Sequence, residues 1–130
     1  MKWLLDNVDG MRDNDGLCLG TIDTYLIAKL TKGNSIVTDS TNASRTMLMD
    51  INTLDWSEKM LNEYGIKREW LPTIIKESSA NFGVVSDPGL PMLQGVQIGG
   101  VLGDQQAACL GHILKEGDVK NTYGTGCFML

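Results

Sequence analysis

An apolar, glycine-bearing run, Val96 to Leu102, leads through Gly103-Asp104-Gln105-Gln106 into the helix-forming Ala107-Ala108-Cys109-Leu110. That order predicts a strand, a tight turn carrying an acid, and then a helix from about Gln105 to Leu114. One helix-length further on, Asn121-Thr122-Tyr123-Gly124-Thr125-Gly126-Cys127-Phe128 predicts a tight hairpin. Its tip, Gly124-Thr125-Gly126, is glycine-rich enough to leave backbone N–H groups open to an anion. An acid at a strand end beside such a hairpin suits proton removal and phosphate binding in one cleft, the two requirements of phosphoryl transfer to a hydroxyl.

The remaining chain predicts mixed elements. A short helix around Trp3 to Leu5 precedes a polar loop from Asp9 to Gly16. A second helix follows, with Thr21 as its cap, Ile22, Tyr25, Leu26 and Leu30 as its apolar positions, and Gly33 just past its end. Ile36 to Thr38 reads as extended, the stretch through Ser44 as turns, and Thr46 to Ile51 as a strand. Asp55 and Glu58 form a capping-box pattern for a helix ending at Gly65. Thr73 to Ile75 and Phe82 to Val85 read as further strands. Mixed elements of this kind predict an α/β or α+β fold.

Composition excludes several function classes. A net charge of −5 and scattered basic residues such as Lys67, Arg68 and Lys115 argue against a nucleic-acid partner, which needs clustered cations. No apolar run is long enough for a transmembrane segment, and no charged-then-apolar leader precedes the first helix. Three cysteines without paired spacing point to a reducing, cytoplasmic compartment and not to a disulfide framework. Cys109 and Cys127 read as small core hydrophobes, and Trp3, Trp56 and Trp70 as packing residues. Arg45 could reach an anion, but reads first as half of a buried structural ion pair. His112 has no second His, Cys or Glu at ligand spacing, so no metal site within the chain is expected.

The same motifs carry a resemblance. Gly103-Asp104-Gln105-Gln106-Ala107-Ala108 and Asn121 to Phe128 are similar to segments of the glycerol kinases within the FGGY carbohydrate kinase family. Lys2-Trp3-Leu4-Leu5-Asp6, Gly20-Thr21-Ile22-Asp23-Thr24, Thr38 to Leu48 and Thr53-Leu54-Asp55-Trp56 resemble the same family in the same order. The resemblance implies a ribonuclease-H-like, actin-like ATPase fold, here partial. Members of that family are roughly four times longer, as two full domains require. Residues 1–114 would then be the C-terminal part of the first kinase domain, and residues 115–130 the opening hairpin of the second. The family's N-terminal phosphate loop, its Arg-Glu pair for glycerol and its adenine site would lie outside, and Met1 would stand where the family's sequence continues.

The resemblance also implies roles. On residue type alone, Asp104 is more often a plain helix cap; the resemblance makes it the general base and a substrate contact. Gln105 on its own would be an exposed first-turn residue, and by resemblance it binds glycerol, where related sugar kinases more often carry Asn. The bare tip Gly124, Thr125 and Gly126 is an ordinary hairpin turn; by resemblance it holds the nucleotide phosphates. Phe128 divides evenly between strand packing and an apolar wall against the carbon side of glycerol. The implied substrates are glycerol and ATP, with Mg2+ arriving on the nucleotide, and the implied parent is a homo-oligomer. The alternatives are another FGGY kinase acting on a pentulose or gluconate, and a catalytically silent binding protein. Asp87 to Val96, where some bacterial members carry an Arg in a glycine-rich loop for fructose 1,6-bisphosphate, has no basic residue, so that feedback is expected to be absent.

Overall fold

The computed structural model describes residues 1–130, beginning with the short helix α1 (Lys2–Asn7) and the polar loop after it. Helix α2 (Ile22–Leu30) starts after Thr21 and closes on Gly33, whose φ of +81° lets its N–H reach the Ala28 carbonyl at 2.7 Å. The face α2 buries is not the expected one. Asp23, Thr24 and Ile27 point inward, whereas Ile22, Tyr25 and Leu26 are each more than half exposed. The reason is polar: Thr21 and Thr38 both donate their hydroxyls to the Asp23 carboxylate, the latter at 2.6 Å, and that pairing sets the helix rotation.

Strand β1 (Val37–Asp39) runs parallel to β4 (Thr73–Ile75), with Val37 opposite Thr73 and Asp39 opposite Ile75. The stretch expected to be turns contains a helical turn, α3 (Ser40–Ala43), followed by a 3-10 turn at Ser44–Thr46. Met47 is left-handed at φ +63°, so the strand predicted from Thr46 to Ile51 shrinks to β2 (Met49–Asp50), paired with β3 (Asp55–Trp56). Helix α4 (Glu58–Tyr64) ends at left-handed Gly65 as predicted. Its predicted capping box does not form: Asp55 turns instead to Arg68, whose guanidinium meets both carboxylate oxygens at 2.7 Å. Leu5, Leu19, Ala43, Leu48, Trp56, Leu61, Ile66 and Trp70 make one core cluster beneath these elements.

Neither Phe82 to Val85 nor Val96 to Leu102 is a regular strand. The two segments do face each other: Phe82 N–H reaches Ile98 O at 3.0 Å, Ile98 N–H reaches Gly83 O at 2.8 Å, and Val85 N–H reaches Val96 O at 2.9 Å. Positive φ at Gly83 (+126°) and Gly95 (+79°) breaks the pleat, leaving only the Val84–Gln97 bridge. Helix α5 (Asp104–Gly111) follows, three residues shorter at its end than predicted because His112 caps it and Ile113 turns left-handed at φ +56°. The hairpin forms as expected from β5 (Asn121–Tyr123) and β6 (Cys127–Met129). No helix is long and apolar enough to cross a membrane.

Candidate active site

The turn into α5 hangs on a buried carboxylate. Asp39, fully buried at the end of β1, accepts hydrogen bonds on Oδ1 from Asn42 N–H (3.1 Å) and Asn42 Nδ2 (2.7 Å). On Oδ2 it accepts from Thr41 N–H (3.1 Å), Thr41 Oγ1 (2.6 Å) and Ser78 Oγ (2.7 Å). Burial pushes its pKa up, but the donors from Ser78, Thr41 and Asn42 outweigh burial and hold it below the usual carboxylate value. The Thr41 hydroxyl, oriented by that donation, accepts the Gly103 N–H at 2.7 Å. The Ser78 carbonyl accepts the Val101 N–H at 2.9 Å. One buried acid thus fixes both flanks of the segment that delivers Asp104. Gly103 is closely surrounded: a Cβ there would stand 3.0 Å from Gln106 Oε1, which would have to shift, and 3.4 Å from the Thr41 carbonyl.

Asp104 is the first residue of α5, exposed, with Oδ1 accepting its neighbour Gln105 N–H at 2.8 Å. It lies on an open groove of about 630 Å³ walled by Ile22, Leu26, Asn42, Ile98, Val101 and Leu102. Gln105 is half-buried, and its Oε1 accepts from Lys120 Nζ at 2.9 Å, with Thr122 Oγ1 at 3.5 Å. That contact ties α5 to the hairpin. Thr122 stands opposite Phe128 in the ladder, and directly opposed residues of an antiparallel pair share one face. Gln105, Thr122 and Phe128 are therefore brought to one side of the hairpin, and Gln105 follows Asp104 directly in sequence.

Phe128 is half-exposed and does not pack into the core; its ring lies over Gly126, where a Cβ would meet two ring atoms at 3.0 Å. Thr125 projects at the exposed tip, and the Gly124 N–H is taken internally by the Gly126 carbonyl at 3.0 Å. Of the three N–H groups expected to stay open, that one is engaged. Other expectations change. Cys127 is exposed, and so is Trp3, whereas Trp56 and Trp70 are buried. Arg45 is exposed and forms no ion pair; its Nε donates to Ser44 Oγ at 3.3 Å. Sequence reasoning passed over Lys120, Asp39 and Thr41. The Asp39-Ser40-Thr41-Asn42 string is a legible Asx cap, but nothing local marks Lys120, because lysines are seldom buried.

An acid heading a helix, an amide beside it and a glycine-tipped hairpin joined to that amide are carried on a partial α/β domain. Residues 1–111 match the model described as the FGGY family of carbohydrate kinases, N-terminal domain. The chain belongs to that family. It is 52% identical over 134 aligned positions to glycerol kinase of Pseudomonas fluorescens strain Pf-5, covering 100% of this chain and 25% of that protein. Among solved structures, Plasmodium falciparum glycerol kinase with ADP superposes with a TM-score of 0.90 at 47% identity, over 98% of this chain and 26% of that one. Ligand-bound xylulose kinase from Lactobacillus acidophilus shares the fold, with a TM-score of 0.70 at 24% identity, covering 85% of this chain and 22% of its own. The chain spans about a quarter of the length of the glycerol kinases it matches.

Proposed function

We propose that the full protein containing this segment is an ATP-dependent glycerol kinase, giving sn-glycerol 3-phosphate and ADP. A terminal hydroxyl oxygen of glycerol attacks the γ-phosphorus of MgATP. The new O–P bond forms as the bond to the β-phosphate bridging oxygen breaks, and the hydroxyl proton passes to Asp104 as general base. Gln105 orients the polyol, Phe128 walls its carbon side, and Thr125 with Gly124 and Gly126 receives the nucleotide phosphates. The ADP-bound relative supports the nucleotide, and identity to a glycerol kinase over all of this chain and a quarter of that protein supports the polyol. The observation that carries the chemistry is the adjacency of Asp104 and Gln105 at the head of α5, with the Gln105 amide joined to the hairpin.

In this reading residues 1–114 complete the first kinase domain and residues 115–130 open the second. Closure of the two excludes water from the site. The parent is a cytoplasmic homo-oligomer, and the isolated chain, lacking three quarters of its relatives' length, is inactive. The test is glycerol-dependent ADP release by the full reading frame beside its Asp104→Asn variant. Loss of a general base lowers turnover by roughly 10²–10⁴-fold. A folded parent that releases no ADP with glycerol sinks the reading and moves it to another FGGY substrate, or to a silent binding protein.

A further inference from the structure

Lys120 is a buried cation, 7% exposed, and none of the ion pairs in the structure includes it. Its Nζ donates to two neutral oxygens, Gln105 Oε1 at 2.9 Å and Thr122 Oγ1 at 2.5 Å. Its backbone exchanges two hydrogen bonds with Leu130, at 2.8 and 2.9 Å, so the ammonium is anchored to the open end of the hairpin. Burying a lysine without a carboxylate is costly, and two neutral acceptors return only part of that cost. A buried charge in such a place needs a further reason.

We propose that Lys120 is the positioning residue for Gln105: it holds the side-chain carbonyl toward the hairpin and thereby turns the –NH2 outward as a donor to the substrate. This rests on the kinase reading above. A glutamine amide has two faces of opposite character, and free in solution it flips between them. Beside an ammonium it has one orientation, because the flipped form sets –NH2 against –NH3⁺. Gln105 then presents only donors, and the ligand it selects must offer an oxygen lone pair at that point. The same bond makes the substrate-orienting amide depend on the hairpin that carries Thr125 and Phe128. When the hairpin moves, Gln105 loses its orientation.

The test is a double-mutant cycle of Lys120→Met and Gln105→Ala in the full-length protein, read on steady-state kinetics and separately on thermal unfolding. Lys120→Met is expected to raise KM for glycerol roughly tenfold while KM for MgATP stays within about twofold, the size of one hydrogen bond to a charged group. Lys120→Arg restores most of the glycerol affinity, and the double variant is no worse than Gln105→Ala alone. A merely structural lysine would lower kcat through lost folded protein, leave KM for glycerol unmoved, and add its effect to that of Gln105→Ala; either result overturns the proposal. An unmutated protein with no glycerol turnover would refute the reaction itself. The unfolding cycle still reads the pair in that case: coupled shifts in Tm support the Lys120–Gln105 bond, and additive shifts overturn it.

Discussion

Asp39→Asn tests whether one buried carboxylate supports the turn that delivers Asp104. The side chain is fully buried and accepts five hydrogen bonds, three on Oδ2 and two on Oδ1. An asparagine keeps one acceptor oxygen. Its best orientation directs that oxygen to the three donors from Thr41 and Ser78, which sets its own –NH2 against the two N–H groups of Asn42. Each donor left without an acceptor in the interior costs about 1–3 kcal/mol, and the surviving bonds lose their charge assistance. Removing the desolvation cost of the charge offsets part of that. The net expectation is a loss of about 2–4 kcal/mol, measured by denaturant unfolding of parent and variant at neutral pH. A variant within about 0.5 kcal/mol of the parent would refute the reasoning, since surface substitutions do no more. The pH dependence follows from the same bonds. Because the folded pKa is depressed, the carboxylate's contribution is fully present above the unfolded value near ~3.9 and is lost as pH falls through the folded pKa. The Asn variant loses this acid-sensitive component, so the two stability curves converge toward low pH.

Gly126→Ala sets a methyl group 3.0 Å from the Phe128 ring and forces the ring aside; the half-exposed ring has room to move, so Tm changes little while KM for glycerol rises roughly tenfold. An unchanged KM would remove Phe128 from the substrate wall. Fructose 1,6-bisphosphate is expected to leave initial rates of the parent unaltered. The segment Asp87 to Val96 carries no basic residue, and Lys32, which reaches it from the end of α2, is engaged by Asp87 at 3.1 Å. Dose-dependent inhibition by that bisphosphate would overturn this expectation.

Much of the site was legible because its signals are local. Gly33 and Gly65 end α2 and α4 because left-handed backbone at those points favours glycine, a preference set by the residue itself. The Asn121 to Phe128 hairpin follows from its glycines, and the Asp104–Gln105 pair at a helix start follows from the apolar run before it and the alanines after it. These determine the mixed helix-and-strand character and the position of the candidate site in the chain. Which way a side chain faces was not legible where distant partners compete. Asp23 faces inward because Thr38 lies across from it, and Asp55 abandons its cap because Arg68, thirteen residues on, donates from one guanidinium nitrogen to both of its carboxylate oxygens.

The sequence by itself determined the family, the glycine-closed ends of α2 and α4, and the two motifs that bring an acid and a glycine-tipped hairpin into one chain. Only the tertiary structure decided that Asp39, sixty-five positions before Asp104, holds its turn through Thr41, and that Lys120 holds Gln105. The reason is physical. Helix caps and turns depend on residues a few positions apart, whereas buried polar groups are satisfied by whatever the fold brings within about 3 Å, and no local pattern records that partner.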